Sequence, residues 1–321
     1  MPTTREHLIY IHGVSHNNNQ SHLELYDQLH DGILSKQKSP NVATWRQSKR
    51  CNVEWGWNYD KAKDPEADRL LAEAQEQFAD KVLNQTKATT DWSLNPTRLI
   101  VQSLRQIMIK GFSDMFYYSS RDGKSSIRET VASQILKCIQ QPLEADQPIS
   151  LTFLTHSAGS VIAFDFLFYL FAPEEVVKAH EFIELAYDSD TNSTSKDFKK
   201  LRELADSNKL RVRRLVTLGS PISMLSFRSN AVLKILAEGN GLNPSYYGLD
   251  KNPEIFGNAL SEPRWINFWD KDDLISWPVS SLMQKSAAVK DIYLDVGDSI
   301  RKSHNQYWSN EAVYENIAAR W

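Results

Sequence analysis

Ser150-Leu-Thr-Phe-Leu-Thr-His-Ser-Ala-Gly-Ser-Val-Ile-Ala-Phe-Asp-Phe-Leu-Phe-Tyr-Leu-Phe171 is the stretch from which the rest of the chain is read. Leu151–Leu154 is a short apolar run that predicts a buried strand. Thr155-His156-Ser157-Ala158-Gly159 follows as a tight turn, and an apolar helix then runs to a stop before Pro173. A serine between strand and helix is placed as a nucleophile. The sharp turn lifts its hydroxyl off the sheet edge and aims the next backbone N–H at the same point. Strand and helix backbones nearly touch at such a turn, so the flanking residues must be small, and Ala158, Gly159 and Ser160 are. Thr155 stands where a glycine is usual, which makes the pattern x-H-S-x-G. The competing role for a serine in this position is a helix N-cap.

The composition fits an ordinary globular protein. Of 321 residues, 41% are apolar and 24% charged, enough for one large domain or two smaller ones with a sizeable core. The net charge of −3 comes from interspersed basic and acidic residues, without the clustered basic face of a nucleic-acid binder. Two cysteines, Cys51 and Cys138, suit a reducing compartment rather than a disulfide framework. The N-terminal residues lead directly into a strand, with no apolar leader, and no run approaches the ~18 apolar residues of a membrane span. The expected setting is cytoplasmic.

Outward from the central stretch, the chain alternates strands and helices. Leu8–Ile11 predicts a first strand running into His12-Gly13-Val14, and Leu25, Tyr26, Leu29 and Ile33 form the apolar face of the following helix. His12, His16 and His22 crowd this region, but no cysteine or carboxylate cluster completes a metal-ligand set. Cys51–Trp57 predicts a second strand. Asp64-Pro65-Glu66 opens a helix striped by Leu71, Ala74, Phe78 and Val82. A further apolar stripe runs from Ile100 to Met115; it packs as core or lines an acyl pocket. A capping box, Ser126 to Glu129, opens a helix with Ile127, Val131, Ile135 and Ile139 inward, and Pro142 closes it. The segment 174–210 is charged and helical at both ends around an exposed run, Asp188–Lys196. Leu215–Leu218 predicts a strand ending at Gly219-Ser220-Pro221. Trp265–Trp269 predicts another, ending at Asp270-Lys271-Asp272-Asp273, and Asp291–Val296 the last, followed by Ser303-His304 and a terminal helix, Asn310–Ala319.

Such alternation, with several continuously apolar strands, predicts an α/β fold: a mostly parallel sheet of about six strands with helices on both faces. The chain reads as one domain, 1–321, with helical insertions at about 58–140 and 174–210. Ligands of such sheets bind beyond the carboxyl ends of the strands. The polar candidates fall there: His12-Gly13 after the first strand, Ser157 after the third, the aspartates after the fifth and His304 after the sixth.

A serine hydroxyl needs a base to take its proton, usually a histidine held in the right tautomer by a carboxylate. The chain order here is Ser157, then Asp272 or Asp273, then His304, the nucleophile–acid–base order of the α/β-hydrolases. Ile11-His12-Gly13-Val14, His156-Ser157-Ala158-Gly159-Ser160-Val161-Ile162-Ala163, Thr217-Leu218-Gly219-Ser220-Pro221, Asp272-Asp273-Leu274-Ile275 and Ser303-His304 together resemble the lipase and esterase branch of the α/β-hydrolase superfamily. The matches are short and correctly ordered, and they span residues 8–308.

That resemblance implies a carboxylic-ester hydrolase acting on a small-molecule or lipid ester through an acyl-serine, with no metal or cofactor. It implies backbone N–H groups of Val14 and Ala158 as the oxyanion hole. The acid it implies follows a strand by a short turn and precedes a small apolar pair. Asp273-Leu274-Ile275 meets that description best, Asp272 fits if the strand ends one residue sooner, and Asp270 reads as the turn itself. The alternative is a catalytically inactive relative that binds a ligand or a protein partner.

Overall fold

The computed structural model describes residues 5–13, 22–38, 41–55, 77, 81, 118, 121–144, 147–184, 196–249, 263–284, 288–297 and 300–321. Its strands are β1 (Arg5–Ile11), β2 (Lys49–Val53), β3 (Ile149–His156), β4 (Leu210–Leu218), β5 (Trp265–Trp269) and β6 (Val289–Tyr293). They form one sheet in the order β2-β1-β3-β4-β5-β6, with every neighbouring pair parallel. Parallel neighbours need long crossovers, which helices supply here. Before β2 come α1 (His22–Lys36) and α2 (Asn41–Gln47), and α3 (Arg121–Glu144) precedes β3. The crossover from β3 to β4 contains α4 (Ala158–Phe171), α5 (Glu174–Glu184) and α6 (Lys196–Asp206). Between β4 and β5 lie α7 (Ile222–Leu225) and α8 (Asn230–Ala237), and α9 (Ile300–Asn305) and α10 (Glu311–Ala319) close the chain.

All eight residues of β3 are buried. Successive strand residues point to opposite faces, so a strand buried throughout is covered from both sides. Leu8, Tyr10, Leu154, Val216, Ile266 and Phe268 form one core with Tyr26, Leu29 and Ile33 of α1 and Val313, Tyr314 and Ile317 of α10. On α4, Phe166 meets Phe153 of β3 and Phe198 of α6, while Phe164 stacks on Tyr247 at 4.2 Å.

Register brings the strand ends level. Ile11 pairs Thr155, Thr155 pairs Thr217, Leu218 pairs Phe268, and Trp269 pairs Tyr293. The residues that follow β1, β3, β4 and β5 therefore emerge along one edge of the sheet.

Several boundaries differ from the sequence expectation. The second strand is Lys49–Val53 rather than Cys51–Trp57, and the last is Val289–Tyr293 rather than Asp291–Val296. The chain leaves β6 where Leu294 N–H donates to Trp269 O at 2.9 Å and Val296 N–H to Asp270 Oδ2 at 2.8 Å. α3 starts at Arg121, so Ser126 is inside the helix and not its cap, while Ile127, Val131, Ile135 and Ile139 are buried as expected. Pro142 lies inside the helix, which runs on to Glu144 instead of closing at the proline. β4 begins at Leu210, five residues before the predicted strand.

The chain divides into two compact units. One comprises Met1–Gly13, Gln20–Val53 and Arg128–Trp321, and the other Val14–Asn19 and Glu54–Ile127. The sheet belongs to the first. The helices expected from Asp64 and about Thr97, and the run Asp188–Ser195, lie outside the described residues.

Candidate active site

The turn after β3 carries the site. Ser157 has φ 51° and ψ −127°, a backbone region that non-glycine residues rarely occupy and that costs about 1–3 kcal/mol. The neighbours hold it there. Ser157 N–H donates to Leu218 O at 2.9 Å, and Ser157 O accepts from Ser160 N–H at 3.0 Å and from Ser160 Oγ at 2.5 Å. Ser160 Oγ is also 2.8 Å from Ser220 Oγ. The strain falls on Ser157 and spares Thr155, which remains in the strand and donates its hydroxyl to Val216 O at 3.0 Å. A threonine in place of glycine thus fits this turn.

Two glycines allow the close approach. A Cβ on Gly159 would lie 2.2 Å from His12 O and 2.5 Å from Ile11 O, so the first turn of α4 rests directly on the end of β1. A Cβ on Gly13 would lie 2.7 Å from Ser157 Cβ and 3.3 Å from its Oγ, so the chain leaving β1 passes against the serine. No cap hydrogen bond leaves the Ser157 side chain. Its Oγ instead lies 2.8 Å from His304 Nε2.

His304 sits in α9, and its Nδ1 is 2.9 Å from Asp273 Oδ2. Burial by itself would raise the Asp273 pKa. The charge of a protonated His304, the imidazole N–H and the Ile275 N–H at 3.1 Å outweigh burial, and the net shift is downward. An ionised carboxylate only accepts hydrogen bonds, so His304 Nδ1 carries its proton towards Asp273. That leaves Nε2 bare, facing the serine hydroxyl.

The three aspartates after β5 have different surroundings. Asp270 is fully buried, and its two oxygens accept from Asp272 N–H at 2.9 Å and Val296 N–H at 2.8 Å, which closes the turn. Asp272 is partly exposed. Asp273, only 2% exposed, is the one that meets His304.

The structure therefore brings Ser157, His304 and Asp273 into one hydrogen-bonded chain and leaves Asp272 outside it. Ala158 is the first residue of α4, where N–H groups have no carbonyl partner within the helix. Val14 and His16 lie outside the described residues. His12 and His22 stack face to face, with ring centroids 3.6 Å apart. Burial above all, and His22 next, lower the His12 pKa to about 3. Among the described residues, Asp270, Asp272 and Asp295 have carboxylates close enough to share a cation, though both Asp270 oxygens already serve the turn.

The sequence did not single out two contacts. Ser220 meets Ser160 across 60 positions of chain, a pairing that no local pattern announces. His156 is hydrogen-bonded to the backbone of His304, and only its place beside Ser157 hinted at a role. No family model matches the chain, and no curated protein matches it.

Proposed function

We propose that this chain is a serine hydrolase that cleaves carboxylic esters, lipid and other acyl esters among them, on an α/β-hydrolase fold with helices on both faces. The observation that carries the proposal is the chain Ser157 Oγ–His304 Nε2 and His304 Nδ1–Asp273 Oδ2, at 2.8 and 2.9 Å, on a strained turn between strand and helix. Nε2 takes the hydroxyl proton as Oγ attacks the ester carbonyl, and Asp273 stabilises the imidazolium that forms. The carbonyl oxygen becomes an oxyanion, met by the Ala158 N–H at the first position of α4. One such donor is typically worth ~10²–10³ in rate. His304 then protonates the departing alcohol, leaving an acyl-Ser157. Water, deprotonated by the same nitrogen, releases the acid and restores the serine. A cytoplasmic setting belongs to the proposal, since Cys51 and Cys138 are both free thiols.

The test is turnover of p-nitrophenyl esters of graded acyl length by the purified protein and by Ser157→Ala. The wild type is expected to hydrolyse at least the short esters, and the folded variant none above background. Equal turnover by the two proteins removes Ser157 as nucleophile.

A further inference from the structure

We propose that His156 is a positioning residue for the base: it ties the backbone of His304 to the strand that ends at the nucleophile. The inference rests on the hydrolase reading above and adds a residue to its machinery.

His156 is the last residue of β3, 5% exposed and adjacent in the chain to Ser157. Its Nε2 lies 2.7 Å from the carbonyl oxygen of His304. A carbonyl oxygen only accepts, so Nε2 must carry a proton and donate it. The neutral ring is then the Nε2–H tautomer with Nδ1 bare. Burial, followed by the nearness of His304, lowers the His156 pKa to about 3, so the ring stays neutral while its neighbour takes a proton. A neutral ring does not oppose the charge that develops on His304.

The geometry closes a small circuit. From Ser157 Oγ the path runs to His304 Nε2, through that residue to its carbonyl, then to His156 Nε2 and along one peptide back to Ser157. The ring of His156 also packs on the segment that carries the base, with centroids 4.8 Å from His304, 6.2 Å from Tyr307 and 5.3 Å from Trp308. α9 ends at Asn305 and runs on into a 3-10 turn, Gln306–Ser309, so the His304 carbonyl is among the last of the helix, where side chains can serve as caps. Asp273 fixes the imidazole and His156 fixes the backbone behind it. Both the aim and the distance of the base are thereby set.

Two variants separate positioning from simple space filling. His156→Phe keeps a ring against Tyr307 and Trp308 but removes the donor, whereas His156→Gln keeps an N–H that can reach the carbonyl. A base displaced by about 1 Å costs ~10²-fold. His156→Phe is therefore expected to lower kcat for p-nitrophenyl acetate by about 100-fold with KM nearly unchanged, while His156→Gln stays within about threefold of wild type. Activity within about threefold in His156→Phe, or equal losses in both variants, overturns the proposal. NMR of isotope-labelled histidine in the wild-type protein at neutral pH tests it without turnover. An Nε2–H tautomer at His156 supports the proposal, and an Nδ1–H tautomer overturns it. A wild type inert towards esters would sink the hydrolase reading, and the tautomer would still decide whether His156 holds the His304 backbone.

Discussion

Three aspartates within four positions show how far chemistry is a matter of individual residues. Asp270, Asp272 and Asp273 have the same side chain and serve as a turn clamp, a partly exposed residue and the partner of His304. Replacing Asp273 by Asn preserves the shape but offers an N–H where an acceptor is needed, which favours the wrong tautomer of His304. The expected loss is ~10⁴ in turnover. Asp272→Asn, away from the imidazole, should keep activity within a few-fold. Steady-state kinetics on both variants checks this, and the reverse pattern would move the role to Asp272. The resemblance put Asp273 first in this turn, by its spacing from Trp269, and left Asp272 open. In the structure Asp273 meets His304 while Asp270 binds the backbone of Val296. That contact spans 26 positions and leaves no local trace.

Among the elements, the best-read strand was β5, Trp265–Trp269, where five large apolar or amide side chains end abruptly at Asp270. β4 begins five residues before the apolar run Leu215–Leu218, and its first half contains Arg211, Arg213 and Arg214. Charged residues argue against a buried strand until their partners are known. Arg213 is passed over by the pairing with β3 as a bulge and reaches Glu6 at 3.6 Å and the Trp321 carbonyl at 2.7 Å, while the buried Arg214 donates to Arg320 O. These partners lie far away in sequence and could not be inferred from it. Further along, Asn267 ties three elements together. Its Oδ1 accepts from Thr217 Oγ at 2.7 Å, and its Nδ2 donates to Asp291 Oδ1 at 2.8 Å and to Trp277 O at 3.0 Å. Asn267→Ala leaves the buried Thr217 hydroxyl without its acceptor, at about 1–3 kcal/mol, and removes the Nδ2 ties to Asp291 and Trp277. Urea unfolding should show that loss, and a variant as stable as wild type would mean that the network contributes nothing net.

For the whole molecule, buried histidines govern the response to acid. Burial foremost lowers His7 to about 4 and His12 and His156 to about 3, from an ordinary 6.5. As pH falls below 6.5, the unfolded chain takes up protons at these positions while the folded protein does not. Stability from these groups is therefore complete above 6.5 and is lost as pH falls towards 4, by up to ~1.4 kcal/mol per pH unit for each histidine. The urea midpoint should be clearly lower at about pH 5 than at about pH 7.5. A midpoint that is unchanged or higher would show that these rings are already charged in the folded state. The sheet and the order of its strand ends were legible because parallel strands bury both faces and so read as apolar runs. What stayed illegible was contact across long separations, which only the register of the sheet brings together. The central claim, that Ser157 is an activated nucleophile, is tested most directly by the intact mass of the protein after brief exposure to a fluorophosphonate probe, with the adduct mapped by peptide sequencing. One adduct is expected, on Ser157, formed rapidly in the wild type and absent from His304→Ala; an unmodified protein, or an adduct on another residue, removes Ser157 as an activated nucleophile.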